Sequence, residues 1–212
     1  MRLAHANEKE RDDVIDDDDA QDDGGIVQIA VIFEAGLAPL ALVIGWLLGQ
    51  RPLEGFEWAA RDAAWGAVAA LPMLGMFWLA WRWPAGSLAE IKKYCIEELI
   101  PVFRDCGWHD LALIALVAGI GEELLFRGTI QAALSRWLGL WPGLAVASLL
   151  FGLLHPITPT YVAIATLLGA YLGAIWIATG NLLTVIIAHA IYDFVALVIL
   201  RLEPSERSRG SD

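Results

Sequence analysis

The sequence predicts an all-α fold, a polytopic membrane helix bundle of about six transmembrane helices with one interfacial amphipathic helix. Three observations carry that reading. Of 212 residues, 58% are hydrophobic and only 18% are charged, and the mean hydropathy is +0.57, too apolar for a water-soluble domain of this size. The apolar residues gather into long stretches at about 26–49, 61–81, 110–137, 142–155, 160–178 and 181–201. Most of these can cross a hydrocarbon core of about 30 Å, which takes about 20 helical residues. Finally, most of the 10 Trp, such as Trp46, Trp58, Trp83, Trp108, Trp137 and Trp141, stand near the ends of the stretches, where an aromatic belt would place them.

Residues 1–25 hold ten Asp and Glu against three Lys and Arg, including the run Asp16 to Asp19. Almost nothing in them could be buried, so they are expected to form a disordered, acidic cytoplasmic tail. An acidic flank also argues against a secretory signal, whose flank is basic. Residues 26–202 are read as one integral membrane domain and 203–212 as a short C-terminal tail. Within the domain, Ser87 to Phe103 differs from its neighbours: Ile91, Cys95, Leu99, Val102 and Phe103 recur near helical spacing, with Lys92, Lys93, Glu97 and Glu98 on the other side. That pattern predicts an amphipathic helix at the membrane surface, with Pro84 before it and Gly107 after it as punctuation.

Six crossings put the tail, the 82–109 loop and the C-terminus on one side, together with most of the Lys and Arg outside the spans. The opposite side has only Arg51, Arg61 and Arg136. The positive-inside rule then predicts a multi-pass protein of the cell membrane with both termini cytoplasmic. No basic stripe with interleaved aromatics exists, so nucleic acid is not an expected partner. Cys95 and Cys106 have neither zinc-ribbon nor Cys-x-x-Cys spacing and are assigned no chemistry.

Ionisable residues inside a bilayer are costly and usually serve a function. Three stripes of them stand out: Glu122, Glu123 and Arg127 in one predicted helix, Phe151 and His155 in the next, and His189 and Asp193 in the last. At 100° and 1.5 Å per residue, Glu123 and Arg127 share a face, as do His189 with Asp193, and Phe151 lies one turn before His155. Counting from the helix starts brings Glu122, His155, His189 and Asp193 into one band about 10 to 20 Å from the cytoplasmic face. A carboxylate beside an imidazole can orient a trapped water and take its proton, so Glu122 is the candidate base with His155 as its partner. His189 could donate to an oxyanion, and Asp193 could orient that imidazole or, if protonated, donate itself. No Ser or Cys is visibly paired with a base, which favours direct attack by water.

These motifs resemble the CPBP intramembrane proteases, the CAAX-processing and bacteriocin-processing (Abi) family. Its pattern of Glu-Glu-x-x-x-Arg, Phe-x-x-x-His and His-x-x-x-Asn or Asp stands here as Glu122-Glu123-x-x-x-Arg127, Phe151-x-x-x-His155 and His189-x-x-x-Asp193. The resemblance covers about residues 108–201. It implies a glutamic-type endopeptidase in which Glu122 and His155 activate water, His189 and Asp193 form the oxyanion site, and Glu123 and Arg127 support them. The substrate would be a membrane-bound protein or peptide, with a lipid-modified tail, a leader peptide or a C-terminal sorting helix each fitting. The prenyl-protein enzyme of the family carries Asn where this chain has Asp193, and a carboxyl group donates a hydrogen bond only when protonated.

Two other classes stay open at this level. A divalent-metal hydrolase or transporter would use Glu122, His155, His189 and Asp193 as ligands, whereas the peptidase reading needs no cofactor. A non-catalytic binding or immunity protein would grip a partner helix with the same cavity. Glu34, inside the first stretch, belongs to no motif. It is expected to line the cavity or the bundle interface.

Overall fold

Residues 23–203 are described by a computed structural model, and every regular element among them is helical. The acidic tail lies outside the described residues up to position 22, as does the C-terminal tail beyond Glu203. Helix α1 is Asp23–Leu47 and α2 is Ala60–Arg82. Helix α3 runs through Ser87–Tyr94, a π-helical stretch Cys95–Leu99 and Ile100–Phe103. Helix α4 comprises Trp108–Glu123, a π-helical stretch Leu124–Gln131 and Ala132–Leu138 without a break. Then come α5 (Leu140–Leu153), α6 (Pro159–Thr179) and α7 (Leu182–Leu202).

The six expected apolar elements and the amphipathic segment all appear as helices. Four helices, α1 from Val27, α2, α6 and α7, are long and apolar enough to span a membrane, and α4 and α5 supply the other two apolar elements. Side chains such as Ile32, Phe33, Trp46, Leu71 and Leu167 are exposed around the bundle, as a lipid-facing surface requires. Pro39 and Pro72 sit inside α1 and α2, a placement that neighbouring helices make tolerable in a membrane span.

Helix α7 packs between α2 and α4, α4 packs also on α1, and α5 lies along α6. Small residues make these approaches close, as is usual where lipid supplies no hydrophobic drive for association. A Cβ at Gly152 of α5 would run into Thr166 of α6, and one at Gly66 of α2 would lie 2.6 Å from Thr184 O of α7. On the side away from the amphipathic helix, Asn181 caps α7 by accepting from Leu183 N–H at 3.0 Å. The same side chain donates to Glu57 O at 2.9 Å and to the buried Asp62 carboxylate at 3.0 Å, so one amide ties the starts of α2 and α7 together. At the other end Lys92 of α3 donates to Trp81 O at 3.1 Å, and Trp81 donates from its indole to Glu203 at 3.1 Å. These bonds hold the amphipathic helix across the ends of α2 and α7.

The uniform α-helix expected over 110–137 is interrupted, because Leu124–Gln131 is π-helical. The Thr129 hydroxyl lies 3.0 Å from Leu124 O, five residues earlier, and 3.2 Å from Ala41 O of α1. A widened turn is what leaves such a carbonyl within reach, and π-turns of this kind favour functional sites.

Candidate active site

The site is built on α4, where the wide turn follows directly on Glu122 and Glu123. Arg127 donates from Nη1 to Glu123 Oε1 at 2.7 Å, and both side chains are essentially inaccessible, at 2% and 0% exposure. The second guanidinium nitrogen donates to Gly169 O of α6 at 2.9 Å. One turn along, Gln131 repeats this by donating to Gly173 O at 3.2 Å. Thus the expected Glu123–Arg127 pair exists, and it also fastens α4 to α6.

The same Glu123 oxygen lies 2.7 Å from His189 Nδ1 of α7. A carboxylate can only accept, so Nδ1 donates. On the other edge of the ring, Nε2 is 3.3 Å from Asp193 Oδ2 and 4.0 Å from Glu122 Oε2. His189 is therefore held by Glu123 and turned toward the two carboxyl groups that face open space. The His189–Asp193 proximity read from their spacing is present, but the bond that orients the ring comes from Glu123, a role the spacing did not suggest.

His155 sits just past the end of α5, in a turn whose His155 N–H donates to Gly152 O at 3.0 Å. The expected stretch to 155 overran the helix by two residues, since α5 ends at Leu153. Its ring bonds Phe151 O through Nδ1 at 2.8 Å. A carbonyl cannot donate, so the proton is on Nδ1 and Nε2 keeps its lone pair in the neutral ring. Phe151 is the hub beneath the polar groups. Its ring lies 4.7 Å from the His155 ring, 6.3 Å from the His189 ring and 4.9 Å from both the Phe126 ring and the Arg127 guanidinium carbon. Glu122 was expected to pair with His155, yet its ion-pair distance is to His189.

A cavity of about 290 Å³ opens beside these groups. Glu34, Glu122, Tyr161 and Asp193 supply its polar wall, and apolar side chains of α2, α3, α4 and α7, Phe77, Leu88, Ile91 and Leu197 among them, supply most of the rest. The amphipathic helix forms one side, with Lys92 on the lining. Glu122 Oε2 and Glu34 Oε2 are both buried without a hydrogen-bond partner. Sequence reasoning singled out Glu34 for its depth alone, because no motif includes it. Tyr161 was missed, having no spacing relation to the three stripes.

A divalent metal would be expected on Glu122, His155, His189 and Asp193. Among the described residues no group of three or more His, Cys, Asp or Glu side chains is arranged to hold one. Glu123 Oε1 is shared between Arg127 and His189, and His155 Nδ1 is committed to a backbone carbonyl.

All three motifs, then, converge on one buried patch beside one cavity. Residues 106–195 match the family model for Rce1-like type II CAAX prenyl endopeptidases. The matched range holds every residue of the patch except Glu34, which stands on α1, so the resemblance carried by the three motifs and the family match concern the same side chains. No curated protein and no solved structure matches the chain.

Proposed function

We propose that this Rce1-like protein is an intramembrane endopeptidase that hydrolyses a peptide bond of a membrane-associated protein by direct attack of water. Glu122 is the base: its Oε2 has no partner and borders the cavity, so a water there can lose its proton to it. His155, with a bare Nε2, is the second group that orients the water. His189 supplies the oxyanion donor from Nε2, and Asp193, 3.3 Å away, is the second donor when protonated. Glu123 and Arg127 hold His189 and α6 in place. The reaction needs no metal, and it takes place near the cytoplasmic side, with both termini facing the cytoplasm. The observation that carries the reading is the unpartnered Glu122 oxygen, 4.0 Å from His189 Nε2, at the wall of an otherwise apolar cavity.

The test is cleavage of a quenched-fluorescent peptide with an apolar C-terminal segment by the full chain in proteoliposomes. Glu122→Gln, His155→Ala and His189→Ala are each expected to abolish turnover while elution and thermal unfolding stay those of a folded protein. Turnover is expected to survive 1,10-phenanthroline and EDTA. Loss of activity to chelators, restored by added zinc, would return the metal-dependent class, and full activity in Glu122→Gln would remove the peptidase reading.

A further inference from the structure

Peptide hydrolysis by direct water attack needs a proton for the departing amine as well as a base for the water, and the motif residues are already engaged, Glu122 with the water and His189 and Asp193 with the oxyanion. Glu34 stands on α1, outside the motifs and outside the family match, yet it lines the same cavity as Glu122 and Asp193. It is within electrostatic reach of Glu122, Asp193, His189 and His155. Its position relative to Glu122 is set by backbone contact. Gly121, the residue just before Glu122, lies against Glu34 O, and a Cβ there would also come within 3.0 Å of Leu37 Cβ. Nearby, Thr129 reaches Ala41 O at 3.2 Å, so α1 is fastened to α4 on both sides of the glutamate pair.

The charges around the cavity decide what state such a group can hold. Arg127 is bonded to Glu123, and His189 is the one cation-forming side chain within ion-pair distance of Glu122 and Asp193 among the described residues. Glu34, Glu122 and Asp193 thus share one largely apolar space in which His189 is the close cationic partner, with His155 and Lys92 also at its edge, and burial there works against keeping all three carboxylates ionised. Glu34 Oε2 is buried and bonded to nothing, which leaves a carboxyl group free to donate into the cavity.

We infer that Glu34 is the general acid of the reaction, protonating the amine nitrogen as the peptide bond breaks. This rests on the proposed peptidase function. Glu122 takes one proton from water as the new C–O bond forms and the carbonyl electrons move to oxygen, beside His189. When the tetrahedral intermediate collapses, the carbonyl re-forms, the C–N bond breaks, and nitrogen takes the proton from the Glu34 carboxyl group. The products are a carboxylic acid and an amine. Glu122 then holds the proton that Glu34 has lost, and transfer between the two through a cavity water restores the starting state.

An ester separates this role from a structural one, because an alkoxide leaves with far less need of protonation than an amine. The wild-type full chain in proteoliposomes is used to locate the bond cut in the peptide substrate, and a second substrate is made with oxygen in place of that N–H. Glu34→Gln is expected to lower kcat on the amide by on the order of 100-fold and to cleave the ester nearly as wild type does, which also shows that the variant is folded. Glu34→Asp is expected to recover part of the amide activity. Amide cleavage by Glu34→Gln at the wild-type rate, or equal loss on amide and ester, would overturn the inference. If Glu122→Gln stays inactive in that case, the peptidase reading stands without it. No cleavage of any peptide by wild type would remove both.

Discussion

Two adjacent glutamates do different work because neighbouring positions on a helix point about 100° apart. Glu123 turns into the bundle, where one oxygen holds a guanidinium and an imidazole and the other is buried without a partner, while Glu122 turns its unpartnered oxygen to the cavity. Removing the Glu123 charge would leave Arg127 buried and unpaired, a change that costs about 3 to 5 kcal/mol in buried pairs generally. Glu123→Gln is therefore expected to lower the unfolding midpoint in detergent sharply, followed by fluorescence of the 10 Trp. Glu122→Gln should leave the midpoint near wild type or above it while abolishing turnover, and the opposite ranking would show that the two roles have been exchanged. Asp193 allows a second comparison at this scale. An amide is itself a hydrogen-bond donor, so Asp193→Asn is expected to keep turnover, whereas Asp193→Ala falls by about 100-fold. A steep loss in Asp193→Asn would mean that the position works as a carboxylate on His189 and not as a donor. The motif spacing indicated the Glu123–Arg127 and His189–Asp193 pairs within their helices, but not the Glu123–His189 bond between them. It could not indicate which oxygen each would use, because helical phase fixes direction only to within tens of degrees and hydrogen-bond partners change within a few.

At the level of helices, the hydropathy pattern located all six apolar elements and the amphipathic one, with ends mostly within about three residues, since burial in lipid is written directly into composition. Two features were not legible. The π-helical stretch Leu124–Gln131 has no composition of its own, and it arises from what Arg127, Thr129 and Gln131 reach on α1 and α6. The approach of α1 to α4 was hidden for a related reason: depth along a helix can be counted, but which neighbour it meets depends on the assembled bundle. Gly121 is where that approach is decided. Gly121→Val is expected to push α1 away from α4 and cut peptide cleavage severely, since Glu34 O and Leu37 already occupy the space a side chain would need. Gly75→Val in α2 meets nothing within 4 Å and is the matched control, with activity close to wild type. Equal effects of the two substitutions, measured on the same peptide, would mean that the α1–α4 contact has no bearing on the site.

For the molecule as a whole, the arrangement of buried charge has to agree with the direction in which the bundle enters the membrane. The amphipathic helix forms one wall of the cavity, and if the Lys and Arg of the 82–109 loop lie in the cytoplasm, as the positive-inside rule expects, substrate is expected to reach it from that side. A single introduced thiol tests this. In a chain with Cys95→Ser and Cys106→Ser, Lys93→Cys in α3 and Trp58→Cys in the loop before α2 both replace exposed side chains, and they lie on opposite faces if α2 crosses the bilayer. The native Cys95 must be removed even though burial raises its thiol above the usual range, because slow labelling there would blur the comparison. A membrane-impermeant maleimide added to intact cells is expected to label the Trp58→Cys chain and to label Lys93→Cys only after the membrane is opened. The reverse pattern would turn the cavity outward and restrict its substrates to proteins exposed on the outer face. Labelling of both in intact cells would mean that α2 does not span, which would leave α7 without its principal neighbour across the membrane and the His189 site without the frame that holds it.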